Sequence, residues 1–268
     1  PEKGKNMGKI EPVNLKLKGK IAQSPLLNEV FLVNVKDIDT VNIAVDFNEK
    51  KRRLSANITA PHINYGGNEI DSLKFSMETD KEDFKFDLGF NNITAGPLDI
   101  PRTTITGKQT DNELSLNFRG RHKDSLLMNV DTKISGSRER LVLSVNPDSL
   151  ILNSHVWKIP KGNEMIVTDN DIEFDQFKIT KGNQSIEITD QLAGIEKNHA
   201  ALKFQNFKVS EVFNYLNPEK VLAQGQLNGN FVLQEPFQET GIVADLEVNQ
   251  LKVVKTDFGT LKIDAKSL

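Results

Sequence analysis

The sequence predicts an all-β fold of antiparallel strands, and three observations carry that reading. Apolar and polar residues alternate along most of the chain. Short clusters of Gly, Asn, Asp and Pro interrupt the alternation, and only one segment has helical periodicity. Strict alternation puts one face of each strand in an apolar environment and the other in water. Parallel strands buried on both faces would read as continuous Val, Ile and Leu runs, which are absent here.

The first clear strand carries Val41, Ile43, Val45 and Phe47 on one face, with Asn42, Ala44 and Asp46 opposite. The same pattern predicts strands at Leu54-Ala56-Ile58, Leu73-Phe75-Met77, Phe84-Phe86-Leu88-Phe90, Leu114-Leu116-Phe118 and Leu141-Leu143-Val145. Later strands fall at Ile172-Phe174, Phe177-Ile179, Ile186-Ile188, Leu202-Phe204, Phe231-Leu233, Ala244-Leu246-Val248, Leu251-Val253 and Leu261-Ile263. Between them, 65–68, 107–112, 135–137 and 146–148 read as turns that join successive strands. Gly229 differs, because Leu227, Phe231 and Leu233 continue one alternation through it. A glycine within a strand marks a bulge or a close backbone approach.

Two local features stand apart. Trp157-Lys158-Ile159-Pro160-Lys161-Gly162-Asn163 recurs as Phe177-Lys178-Ile179-Thr180-Lys181-Gly182-Asn183, which predicts one hairpin unit laid down twice. The segment from Ser210 to Asn217 predicts the one short helix: Ser210 caps it, Glu211 suits its first turn, and Val212, Phe213 and Leu216 share a face. Asn217-Pro218 ends it. No Pro-, Gly- or Ser-rich linker interrupts the pattern, so residues 1–268 read as one continuous β segment, with room for a change of style near residue 150. The chain opens at Pro1 without Met, and the expectation is an internal piece of a larger protein whose anchor lies elsewhere.

Composition removes several function classes. The formal net charge of −3 and the interleaving of Lys with Asp and Glu leave no basic footprint for nucleic acid. The densest basic run, 50–53, reads as a solvated hairpin turn. The absence of cysteine excludes disulfides, thiolate zinc sites and cysteine nucleophiles, and suits an oxidising compartment. No apolar run approaches the roughly 20 residues that span a bilayer. The four histidines, His62, His122, His155 and His199, have no partner at ligand spacing, and His62 and His122 stand among polar turn residues. The acidic stretch 169–173 fails as a calcium loop, since Phe174 stands where glycine is needed and Thr180 where glutamate closes. The stretch 4–9 is one residue short of a phosphate loop. The reading is therefore a protein that is not an enzyme and needs no cofactor.

What remains distinctive is the apolar face. Fifteen Phe stand against two Tyr and one Trp, so the face is greasy and carries few polar handles. Its candidate members are Phe75, Met77, Phe84, Phe86, Leu88, Phe90, Leu114, Leu116, Phe118, Phe174, Phe204 and Phe231. Two readings remain open. One is an elongated sheet curved into a U-shaped groove whose face shelters acyl chains. The other is a closed β-sandwich or barrel that docks a protein partner and buries the same residues.

The last third bears on family. The stretch 202–209, the helix from Ser210 to Asn217, and then 223–231 with Gly225 and Gly229 resemble the TamB-like proteins of Gram-negative envelopes, as do Phe258-Gly259-Thr260-Leu261 and the unit from Ile172 to Ile188. The resemblance covers Trp157 to the end. It implies a β-taco, a long U-shaped antiparallel sheet with an apolar inner face, in a periplasmic protein anchored in the inner membrane. It implies phospholipid or another acyl-chain lipid as cargo, carried to the outer membrane. An outer-membrane barrel protein is the partner it implies for the parent chain. It carries over no catalytic residue.

Overall fold

A computed structural model describes residues 12–267, and the stretch 4–9 lies outside them. Strand makes up 65% of the structure, in antiparallel sheets that do not close into a barrel. The strands are β1 (Asn14–Ile21), β2 (Val35–Ile38), β3 (Val41–Asn48), β4 (Arg53–Tyr65), β5 (Asn68–Thr79), β6 (Asp83–Phe90), β7 (Asn92–Ala95) and β8 (Leu98–Ile100). Then come β9 (Thr103–Thr110), β10 (Glu113–His122), β11 (Ser125–Gly136), β12 (Arg140–Val145), β13 (Ile151–Leu152), β14 (His155–Val156), β15 (Glu164–Thr168) and β16 (Ile172–Asp175). A second sheet holds β17 (Lys178–Lys181), β18 (Gln184–Thr189), β19 (His199–Lys208), β20 (Ala223–Gln234), β21 (Gly241–Val253) and β22 (Thr256–Lys266). The helix α1 (Ser210–Leu216) joins β19 to β20, and a π-helical turn occupies Leu27–Phe31.

The first sheet has 16 strands, ordered β1-β3-β4-β5-β6-β9-β10-β11-β12-β15-β16 along its main path; the second, of 6 strands, runs β17 to β22 in sequence order. Neighbours in sequence pair as hairpins wherever turn chemistry allows, as at Gly66-Gly67, where both φ angles are positive. The predicted turn at 107–112 is narrower than expected. Residues 107–110 belong to β9, and only Asp111-Asn112 turns the chain. Gly107 stands in mid-strand because Phe86 lies over it: an added Cβ would come 2.1 Å from the Phe86 ring. Gly229 likewise sits within β20, at φ +109, with the Asp245 carbonyl 2.0 Å from where a Cβ would stand. That is the close backbone approach its position predicts.

Along one line the first sheet changes course. Pairing between β4 and β5 skips from Ala60–Leu73 to His62–Asp71, past Pro61, which has no N–H, and Ser72, at φ 57. On the far side of this line β4 pairs with β2 instead of β3, and β5 with β7 instead of β6. A register shift at Gly120/Arg121 continues the line into β10. On this line Ala60 and Thr103 are only 1% and 2% exposed, while the aromatic residues further along the strands are not buried. The line is the floor of a trough.

The irregular stretch from Leu150 to Asn163 overturns the prediction of one hairpin unit laid down twice. The later copy is a hairpin, β17 and β18, turning at Gly182 with φ 59. The earlier copy is not. Pro160 replaces Thr180 and cannot donate to a ladder, and Asn163 turns inward, 0% exposed. Its side chain accepts from the Val145 amide at 2.7 Å and donates to the Val145 and Pro160 carbonyls. The two copies meet in an antiparallel bridge, Lys158 with Thr180, whose N–H···O distances are 2.9 and 2.8 Å.

The helix forms where predicted and presents a different face. Its N-cap is Val209 with no side-chain cap, so Ser210 does not serve. Glu211 is buried, while Val212 and Phe213 are exposed at 42% and 38%. The inward residues are Glu211 and Tyr215, one helical turn apart. Glu211 accepts from Lys181 Nζ at 2.5 Å and Gln184 Nε2 at 3.2 Å; these bonds override the apolar stripe. Among the described residues no helix is long and apolar enough to cross a membrane.

Candidate functional site: an apolar trough

Directly paired residues point to the same side of an antiparallel sheet, so register alone defines its faces. One row of the first sheet runs Leu15, Phe47, Leu54, Thr79, Phe84, Gln109, Leu114, Ile134, Leu143, Met165 and Phe174. The next runs Leu17, Val45, Ala56, Met77, Phe86, Gly107, Leu116, Thr132 and Val145. A third runs Gly19, Ile43, Ile58, Phe75, Leu88, Ile105, Phe118 and Val130. Phe90 follows, opposite Thr103. Phe75, Met77, Phe84, Phe86, Leu88, Phe90, Leu114, Leu116, Phe118 and Phe174 thus share one face.

Phe204 and Phe231 lie on the second sheet. Its rows run Ile179, Ile186, Phe204, Gly229, Leu246 and Ile263, then Ile188, Leu202, Phe231 and Ala244. A bulge at Asn206, φ 47, re-aims Phe207 onto the same face, opposite Leu227. The two apolar faces meet in a closed cluster. Trp157 stands there, 0% exposed, among Leu127, Met128, Val145, Leu150, Leu152, Ile159 and Phe207. Phe118 and Val130 pack on this cluster from the first sheet, and Ile186, Phe204 and Leu227 from the second. The structure therefore brings Phe118 and Phe204 to one cluster and leaves Phe75, Met77 and Phe84 away from it.

None of the candidate residues is buried; every one keeps part of its surface in contact with solvent. The apolar face also runs out to the edge strands, where Leu15 and Leu17 are 52% and 51% exposed and Leu261 and Ile263 are 42% and 39% exposed. The opposite face is polar. It carries the pairs Lys16–Asp46, Lys85–Glu78, Lys133–Glu113 and Lys262–Glu247 at 2.9–3.2 Å. Pairs this exposed contribute little stability, but they keep that face wet.

The loop leading into the Trp157 segment is held to the polar face by amide chemistry. The buried Asn129 donates to the Ser149 carbonyl at 2.7 Å and accepts from Arg119 Nε at 3.2 Å; Asn117 donates to both Asn129 and Asp131. Burial pushes the Asp131 carboxyl up, but the neighbouring Ser149 hydroxyl and hydrogen bonds from Asn117 and Asn129, with the nearby Arg119 charge, outweigh it and hold the group below its ordinary value.

His62 is not in a turn, as predicted, but in β4, opposite Asp71, whose Oδ1 lies 2.6 Å from its Nδ1. That hydrogen bond, supported by the charges of Asp71, Asp37 and Glu69, raises the His62 pKa above 6.5 despite partial desolvation. A raised histidine pKa stabilises the fold fully below the unfolded value, and this stabilisation is lost as pH rises through the folded value. The expected result is an NMR titration midpoint for His62 above 6.5 that falls when Asp71 becomes Asn. An unshifted midpoint in the unaltered protein would show that the pair is not formed in solution.

Sequence reasoning missed Trp157, Asn163, Thr103 and Tyr215 as organising residues. The one signal available was that Trp157 is the only Trp in the chain and lies in a stretch without alternation. Comparison with protein-family models, with curated proteins and with solved structures finds no match to any of them.

Proposed function

We propose that this chain is a segment of a TamB-like periplasmic bridge protein, whose trough shelters acyl chains for phospholipid transport to the outer membrane or for outer-membrane assembly. The observation that carries the reading is an apolar face, several strands long, whose candidate residues from Phe75 to Phe231 are all partly open to water. A sealed core would bury them. A stable protein tolerates so much partly wet Phe, Leu and Ile when something apolar covers it in use. Each methylene moved from water onto such a face gains about 0.8 kcal/mol, so a chain of many methylenes is held without any specific polar contact. The sealed Trp157 cluster is the feature that favours the rival, a sandwich-like binding module, and it is confined to the place where the two sheets meet.

The test is equilibrium binding of a fluorescent long-chain fatty acid to the purified protein, with competition by unlabelled palmitate. Saturable binding displaced by palmitate is the expected result. A protein that is folded by circular dichroism and binds no fatty acid would sink the acyl-sheltering reading and leave the binding module standing.

A further inference from the structure

The floor of the trough is obstructed at β10. Tyr215, on α1, lies across it. Its ring packs edge-on against Phe118 at 5.6 Å, and a Cβ added to Gly120 would stand 2.7 Å from Tyr215 Cε2. Gly120 is thus the notch into which the ring fits. The hydroxyl shares a 2.7 Å hydrogen bond with Thr103, itself 2% exposed on the trough floor. Burial raises the pKa of the phenol, and Thr103 opposes this only in part, as expected for a ring held away from water. Beyond it stands Trp157, 0% exposed.

The segment that carries Tyr215 is fastened to both sheets. On one side the buried Glu211 is held by Lys181 and Gln184 of the second sheet. On the other, Asn217, 2% exposed, donates to the Pro97 carbonyl at 2.8 Å, and Glu219 pairs with Lys123 at 2.8 Å. An acyl chain advancing past Phe118 would have to lift the ring out of its notch and leave a buried Thr103 hydroxyl without this partner.

We propose that Tyr215 is a stop that ends the acyl path along the trough floor at β10, so that the floor over β3 to β10 and the face over β19 to β22 are separate acyl sites. This rests on the acyl-sheltering reading. Tyr215 acts by occupying space, so its ring decides how far a chain penetrates and its hydroxyl only fixes the ring.

The absence of cysteine makes a direct test available. The variant Leu116→Cys, alkylated with a hexadecyl chain bearing a nitroxide at its far end, leaves the chain free to lie in either direction. Methyl NMR signals then report where its end resides. The expected result is strong broadening of Ile43 and Ile58, with Met128 and Leu152, behind the ring, broadened several-fold less. Tyr215→Phe keeps the ring and should give the same pattern, whereas Tyr215→Ala should bring broadening to Met128.

Broadening of Met128 and Leu152 in the otherwise unaltered protein would overturn the stop while leaving acyl binding intact. So would an unchanged pattern in a folded Tyr215→Ala. A chain end that broadens no signal on the face and tumbles in solvent would overturn the acyl-sheltering reading and the stop with it. The unaltered-protein arm decides the matter even where Tyr215→Ala does not fold.

Discussion

Replacing Phe86 with Asp is expected to weaken fatty-acid binding by at least about 100-fold while leaving the protein folded. Phe86 lies on the trough face beside Phe84, with ring centroids 5.8 Å apart, and drapes over Gly107. It is only partly buried. In the empty trough a carboxylate there can still reach water, so folding loses some packing, on the order of 1–2 kcal/mol. An acyl chain laid over the same carboxylate would strip its water. An unpaired charge in an apolar surrounding costs several kcal/mol, and each 1.4 kcal/mol is about tenfold in affinity. Leu116→Asp, on the same row two strands away, should behave alike. Thermal unfolding and fatty-acid binding measured side by side decide the point. A joint collapse of both properties would identify a sealed core, and undiminished binding would remove this face from the lipid path.

Trp157→Ala is expected to have the largest effect on stability, about 3–5 kcal/mol, the range typical of deleting a large buried aromatic. Trp157 is 0% exposed, packs on Phe207 at 5.9 Å between ring centroids, and carries Lys181 over its ring at 5.6 Å. It stands where the two sheets meet, so the cavity left behind has walls from both and cannot collapse without moving one of them. With urea slopes of roughly 1–3 kcal/mol/M, the midpoint should fall by about 2 M or the protein should not fold at all. Trp157→Phe should cost much less, since it keeps an aromatic ring and removes an indole N–H that has no hydrogen-bond partner. Circular dichroism is the appropriate probe, because the substitution removes the only tryptophan. An unchanged midpoint for Trp157→Ala would mean that the cluster does not hold the sheets together.

Set beside Phe86, this contrast separates two kinds of apolar residue that look alike in the sequence. Both are aromatic and both stand near lysines and a glycine. One lies on an open face and is expected to matter for binding; the other fills a closed junction and is expected to matter for folding. Burial distinguishes them, and burial depends on residues distant along the chain.

The sequence by itself determined the antiparallel all-β class, many of the strands though not β1, β9 or β11, the place of the helix and the common face of Phe75, Met77, Phe84, Phe86, Leu88, Leu114, Leu116 and Phe118. All of these follow from periods of 2 and 3.6 residues and from turn residues, which act over a few positions. Only the tertiary structure decided the line of the trough floor at Pro61 and Ser72, the inward turn of Glu211 in place of Val212 and Phe213, and the conversion of the Trp157 segment from a hairpin into a core. Those outcomes depend on partners far apart in sequence: Tyr215 on Thr103, 112 residues away, Asn217 on Pro97, 120 away, and Glu211 on Lys181, 30 away. No local pattern encodes such pairs. A helix of seven residues has too little stability of its own to choose its face. The buried hydrogen bonds of the sheets around it make the choice, because leaving them unmade costs more than exposing two apolar side chains.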